Sequence, residues 1–158
     1  MISAPIAVSK YHRGMTLIEV LVSLVVVSVG LLGIAALQLT TLKGSQEAYA
    51  RSQASVLAAE ILDRIRANQS GFNAGEYTVA MNGTGTAGTT AGDDLDTWQQ
   101  LIDTQLPGGA ATAAGAIART AGTNIVTITI QWSERADAAT NRTLATTVQF
   151  STRTEIRQ

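Results

Sequence analysis

The sequence predicts an α+β fold, in which the second half of one long N-terminal helix packs on a small antiparallel β-sheet. Three observations predict this fold. An apolar run extends from Met15 to Leu39, and the polar segment after it keeps helical spacing. Two segments near the C-terminus alternate apolar and polar residues, which is typical of half-buried strands. The 158 residues are enough for about one domain.

The first half of the predicted helix is long enough to cross a membrane. At a rise of 1.5 Å per residue the run Met15–Leu39 is about 37 Å long, whereas the hydrocarbon core is about 30 Å thick. Lys10 and Arg13 precede the run. Basic residues flank the cytoplasmic end of a span, so we expect one span with the N-terminus in the cytoplasm and the remaining chain outside.

The second half of the predicted helix is amphipathic and ends near Asn68. Gly44 interrupts it, but one glycine weakens a helix by about 1 kcal/mol and does not end it. The sequence "NQSG" predicts the stop, with Gly71 as the C-cap. Apolar residues at helical spacing form one stripe, which we expect to face the core: Ala50, Ala54, Leu57, Ala58, Ile61, Leu62 and Ile65.

The rest of the chain predicts a loop, a short helix and strands. Residues 71–92 are rich in Gly, Thr and Ala and predict an irregular loop. "DDLDTWQQLIDTQL" predicts a helix capped by Asp93 or Asp94, and "PGG" ends it. We expect Leu95, Trp98, Leu101 and Ile102 to face inward. The strands are "TNIVTITIQWS" and "RTLATTVQFS", joined by "ERADAATN", with a weaker strand over Thr112–Arg119.

Composition excludes several function classes. The chain has no Cys and a single His, His12, so it cannot form a disulfide, the common zinc sites or a His-based catalytic triad. The formal charge is −1 with no basic cluster downstream, which excludes an electrostatic footprint for nucleic acid. The acidic residues Asp93, Asp94 and Asp96 leave calcium binding open as an alternative to helix capping. We predict no cofactor, no metal site, no catalytic residue and no enzyme.

Three interpretations of the N-terminus compete: a cleaved signal peptide, a plain anchor and a specialised leader. The apolar run is too long for a signal peptide, and a plain anchor does not account for Gly14 or for Glu19. The residues "RGMTLIEVLVSLVVVSVGLLG" resemble the leader of type IV pilins and pseudopilins. The resemblance implies that a prepilin peptidase cuts after Gly14 and methylates the amine of Met15. Phe is usual after the cut, so Met15 is a departure, although an apolar one.

Glu19 is the only ionisable residue between Met15 and Leu42, and a carboxylate inside a bilayer costs about 2.5–3.5 kcal/mol at mid-helix. Cleavage leaves a cationic amine at Met15, about one helical turn away. In a bundle of such helices, Glu19 can pair with that amine of a neighbouring subunit and penalise a wrong axial register. The alternative is an interfacial Glu without a partner. The resemblance assigns assembly roles to Glu19 and Thr16.

Four further features narrow the resemblance within this superfamily: "SQASVLAAEILDRIRANQSG", Trp98, "QLPGG" and "VTITIQWSE". By these features the sequence resembles the PilV group of minor pilins, the type IV pilus modification proteins. The resemblance implies a pilin-like fold divided into a leader at 1–14, an apolar assembly segment at 15–43 and an amphipathic half-helix with a globular domain at 44–158.

The implied function is that of a structural subunit in pilus assembly, initiation, twitching motility and adhesion. The implied location is the inner membrane, with the C-terminal domain in the periplasm and then outside the cell in the pilus. The implied partners are other pilins, the prepilin peptidase and the pilus assembly platform. Two alternatives stay open: a minor pseudopilin of type II secretion, and a membrane-anchored enzyme or binding module.

Overall fold

The computed structural model describes residues 14–134 and 146–156. Over these residues the chain forms a long helix, two further helices, one 3-10 turn and three strands. The described chain divides between Lys43 and Gly44 into two compact units. We call the second the C-terminal unit. The elements are α1 (Leu17–Ala67), α2 (Gln69–Ala74), α3 (Thr90–Gln105), the turn Gly109–Ala111, β1 (Ala114–Arg119), β2 (Ile125–Glu134) and β3 (Thr146–Glu155). The predicted α+β fold is confirmed.

Helix α1 is one uninterrupted element of 51 residues, as the sequence predicts, and it continues through Gly44. Six of the seven residues in the predicted stripe are buried, and Leu62 is partly buried against the core. The predicted stop is confirmed to within a residue. Gly71 as its C-cap is wrong, because the Asn68 side chain accepts a hydrogen bond from the Gly71 amide at 3.1 Å and starts α2.

The segment after α1 is more ordered than the predicted loop. Helix α2 ends at Ala74 and is capped by Gly75, whose φ of 81° is the left-handed conformation that glycine adopts readily. Val79 then forms an isolated antiparallel bridge with Ile117. Helix α3 begins at Thr90, and the Thr89 side chain caps it by accepting from the Gly92 amide at 2.9 Å. The predicted caps Asp93 and Asp94 are therefore wrong, since both lie inside the helix.

The sheet has the strand order β1-β2-β3, and both pairs are antiparallel. On β2 the alternate residues Val126, Ile128, Ile130 and Trp132 are all buried, which confirms the predicted face. The weaker predicted strand is β1. Strand β3 continues to Glu155, beyond the predicted end. Residues 135–145, which include most of the predicted connection and the start of the predicted strand "RTLATTVQFS", lie outside the described residues.

The core of the C-terminal unit lies between the stripe of α1, the inward face of α3 and the sheet. Leu95, Trp98 and Ile102 of α3 are buried as predicted, and Leu101 is partly buried. The indole Nε1 of Trp98 donates to the Leu57 carbonyl at 2.9 Å and ties α3 to α1. A Cβ at Gly115 would come within 2.3 Å of the Trp98 ring, so β1 can approach the indole this closely only because residue 115 is glycine.

Trp132 is 0% exposed, and its Nε1 has no acceptor among the described residues. We expect Trp132→Ala to lower the free energy of unfolding by about 3–5 kcal/mol, because it removes a large buried side chain. Trp132→Phe should cost clearly less, because it also removes an unpaired buried donor. Denaturant melts of a fragment starting at Gly44 measure both changes. Equal losses for the two variants would contradict the burial of an unpaired indole.

Candidate assembly site

The first half of α1 exposes apolar side chains. Large hydrophobic residues from Leu17 to Leu42 are all solvent-exposed in the single chain, from 42% at Val20 to 91% at Leu17. By length and composition alone, α1 is apolar enough to cross a membrane. Such a segment is stable only against lipid or against other apolar helices.

Thr16 caps α1 at the point where the apolar run begins. Its hydroxyl oxygen accepts from the Glu19 amide at 3.3 Å, and its carbonyl accepts from the amides of Glu19 at 3.1 Å and Val20 at 3.2 Å. A threonine followed three residues later by a glutamate is the pattern of a capping box. From the sequence we predict only an assembly role for Thr16, although "TLIE" carries this capping signal.

The predicted cleavage position lies directly outside the helix. Gly14 and Met15 are non-helical and exposed. A Cβ built at Gly14 meets nothing within 4 Å, and the residue does not need a positive φ. The described residues therefore give no steric reason for glycine at position 14.

Glu19 lies in the first turn of α1 and its side chain is exposed. An acid in this position interacts favourably with the helix dipole, typically by about 0.3–1 kcal/mol. This is the structural contribution of Glu19 in one chain. The structure places Gly14, Met15, Thr16 and Glu19 together at one end of α1, and their predicted roles in cleavage, methylation and assembly stay predictions.

A polar network in the C-terminal unit joins α1 to α3. Arg64 donates to Glu60 at 2.7 Å and to Asp94 at 3.2 Å. The Tyr77 hydroxyl donates to the other oxygen of Asp94 at 2.5 Å and accepts from Asn68 at 3.2 Å. The hydrogen bond to Glu60 raises the pKa of Arg64, burial opposes this, and Asp94 adds to the rise. Asp94 therefore links α3 to Arg64 of α1 and to Tyr77.

Tyr77 gives this network a pH dependence. Burial, and then the hydrogen bond to Asp94, raise the pKa of Tyr77 from 10.0 to about 12. The Tyr77 hydroxyl holds its proton more tightly in the folded state than in the unfolded state. The contribution of protonated Tyr77 to folding stability is therefore fully present below pH 10 and is lost as the pH rises through about 12. We expect the melting midpoint of wild type to fall more steeply over this range than that of Tyr77→Phe. Parallel curves would contradict the coupling.

Arg119 was not identified from the sequence, yet it joins α2 to the connection between β1 and β2. Its guanidinium donates to the carbonyls of Phe72 and Thr123, both at 3.0 Å, and to the Asn124 side chain at 3.1 Å. It also lies 4.3 Å from the centroid of the Phe72 ring, within the range of a cation–π contact. These contacts saturate much of its donor capacity, so we assign Arg119 a structural role.

The structure does not favour the calcium alternative. Asp94 is taken up by Arg64 and Tyr77, and Asp96 accepts from the Gly85 amide at 3.1 Å. Residues 14–134 and 146–156 contain no cluster of three or more side chains that could hold a metal ion. The acidic run therefore contributes to α3 and its packing.

Two family models match the chain in succession. Residues 9–35 match the prokaryotic N-terminal methylation motif, and residues 36–99 match the model described as type IV pilin Tt1218. Residues 36–99 are therefore similar to a type IV pilin domain. Searches of curated proteins and of solved structures gave no match. The pilin domain directly follows the methylation motif, so the two models together extend over α1, α2 and most of α3.

The match confirms the predicted resemblance at the level of type IV pilins. The similarity to a type IV pilin domain supports a structural subunit in pilus assembly. The apolar helix and the methylation motif fit a protein anchored in the inner membrane. The motif also fits interaction with other pilins and with a prepilin peptidase, because it includes Gly14, Met15, Thr16 and Glu19.

Proposed function

We propose that the protein is a minor pilin of the PilV type, a structural subunit that takes part in the assembly and initiation of type IV pili and thereby in twitching motility and adhesion. The observation that carries this proposal is the succession of a methylation motif and a type IV pilin domain in one chain. The resemblance of "SQASVLAAEILDRIRANQSG", "QLPGG" and "VTITIQWSE" to PilV proteins supports the finer assignment.

The proposed sequence of events begins with insertion of the apolar segment into the inner membrane. Lys10 and Arg13 keep the N-terminus in the cytoplasm, and the C-terminal unit lies in the periplasm. A prepilin peptidase then cuts the Gly14–Met15 bond and methylates the new amine. Because both residues lie outside α1 and are exposed, their backbone is available to the peptidase without unwinding the helix.

After cleavage, the Met15 amine and Glu19 carry opposite charges at the same end of α1. In low dielectric an unpaired charge is costly, so a neighbouring subunit is favoured at the axial position where its amine meets Glu19. The exposed apolar side chains of α1 then pack on other such helices as the subunit leaves the membrane through the assembly platform. This scheme assigns cleavage to Gly14 and Met15, methylation to Met15, and assembly to Glu19 and Thr16.

Mass spectrometry of the N-terminus tests whether the protein is processed as a pilin, and fractionation tests whether it is a minor pilin or a minor pseudopilin. We expect mature protein that begins with methylated Met15 and is present in sheared pili at a small fraction of the major subunit. An intact leader on all of the protein would overturn the pilin assignment. A processed protein that is missing from pili, but whose deletion blocks secretion, would replace the minor pilin by a minor pseudopilin of type II secretion.

A further inference from the structure

Strand β3 ends the three-stranded sheet, and the two outer edges of this sheet differ. At the β1 edge, Val79 and Ile117 exchange backbone hydrogen bonds of 3.0 and 2.9 Å, so a short segment covers that edge. At the other side, β3 pairs with β2 along its whole length, from Thr146 to Glu155. Within the described residues, the sheet continues no further than β3.

The sequence of β3 leaves most of this edge unprotected. Proteins usually blunt an exposed edge strand by short length, charged side chains, proline or a bulge. Strand β3 has ten residues, "TTVQFSTRTE", its charged residues Arg153 and Glu155 lie only near its C-terminal end, and residues 146–152 contain no charge, Pro or Gly and pair with β2 without a break. Thr, Val and Phe are residues that favour extended structure. The strand is thus a suitable template for one more strand.

Apolar side chains on β3 are less buried than their partners on β2. On β2, Ile130 and Trp132 are both 0% exposed. Their direct partners on β3, Phe150 and Val148, are only partly buried although they pack against the core. An additional strand beside β3 would cover these two side chains and bury apolar surface, at about 25 cal/mol per Å² removed from water.

We propose that the outer edge of β3 receives an extended segment of another pilus subunit by β-strand addition. Backbone hydrogen bonds supply the affinity, and alternate side chains supply the specificity. The added segment carries apolar residues at the positions beside Val148 and Phe150. On the opposite face it carries neutral polar residues, because Thr147, Gln149 and Ser151 are exposed there. Naming the partner as a pilus subunit rests on the proposed function.

Amide hydrogen exchange of the full chain tests the proposal, first in detergent and then in assembled pili. In an antiparallel pair the amides of successive residues point alternately to the two sides of the strand. We expect every second amide of β3 to exchange fast in the detergent sample and to become protected in pili. Protection of all β3 amides already in detergent would overturn the proposal, and so would unchanged exchange in pili.

Two neighbouring variants, Ser151→Pro and Thr152→Pro, separate edge binding from sheet stability. The backbone amide of one of these residues donates to β2, and the amide of the other points to the outer edge. The exchange data identify the residue whose amide points outward. Proline removes the donor. The variant at the outward amide should keep its melting midpoint and its membrane level and lose incorporation into pili. Incorporation of that variant at the wild-type level would overturn the proposal.

The outcomes for wild type distinguish this inference from the proposed function. If the wild-type protein never enters pili, the proposed function fails and the named partner fails with it. If the wild-type protein enters pili and β3 shows no alternating protection, the strand addition alone is wrong and the pilin assignment stands.

Discussion

Gly14→Leu is expected to leave the full-length precursor in the membrane and to abolish entry into pili. The expected reason is the fit in the peptidase, because a Cβ at residue 14 meets no atom of the described residues within 4 Å. The variant therefore folds and inserts as the wild type does. What changes is the fit of a non-helical, exposed backbone in the peptidase, where glycine permits a close approach.

The measurement is the ratio of precursor to cut protein in membranes. Removal of residues 1–14 takes away Lys10 and Arg13, so the formal charge changes from −1 to −3 and isoelectric focusing resolves the two forms. Gly30→Leu is the matched control, since its Cβ also has open space but it lies within α1. If Gly14→Leu is cleaved at the same rate as this control, cleavage does not require Gly14 and the prediction is wrong.

The elements that the sequence predicts well depend on local patterns. Helix α1 follows from an uninterrupted apolar run and an amphipathic stripe, and the burial of β2 follows from strict alternation at Val126, Ile128, Ile130 and Trp132. In each case the residues that decide the structure lie within a few positions of one another, so the pattern is visible without knowledge of the fold.

The elements that the sequence does not predict depend on contacts between distant residues. Asp94 looks like a helix cap because acids are common there, yet Arg64 lies 30 residues away and binds its carboxylate. The cap is instead Thr89, whose hydroxyl accepts from the Gly92 amide. Arg119 is joined to Phe72 across 47 residues. No periodicity indicates such pairs.

The candidate site shows the same division. Gly14, Met15, Thr16 and Glu19 are adjacent in the sequence, so their resemblance to a pilin leader needs no fold to be seen. The structure adds what the pattern leaves out, namely the two hydrogen bonds by which Thr16 starts α1 at the Glu19 amide. Because this cap uses the backbone of Glu19, the side chain of Glu19 can be changed while the start of the helix is kept.

Glu19→Ala is accordingly expected to insert, to be cleaved and then to fail in assembly. Hydrophobic length and the basic residues set insertion, and Gly14 is intact for cleavage. The Met15 amine of a neighbouring subunit is then buried without a partner, and a broken buried ion pair costs about 3–5 kcal/mol, or two to four orders of magnitude in the docking equilibrium. Glu19→Gln keeps the shape without the charge and should fail similarly.

Glu19→Asp separates charge from geometry. It keeps the carboxylate on a shorter side chain, which cannot hold the same contact, so we expect partial incorporation between wild type and Glu19→Ala. Each variant is expressed in a strain that lacks the native gene, and the protein is quantified in membrane and sheared-pilus fractions. If the charge pair sets the axial register, the amount of Glu19→Ala protein is normal in membranes and reduced in the sheared-pilus fraction. If that variant enters pili at the wild-type level, Glu19 serves only the helix dipole at the membrane surface, and other contacts set the axial register.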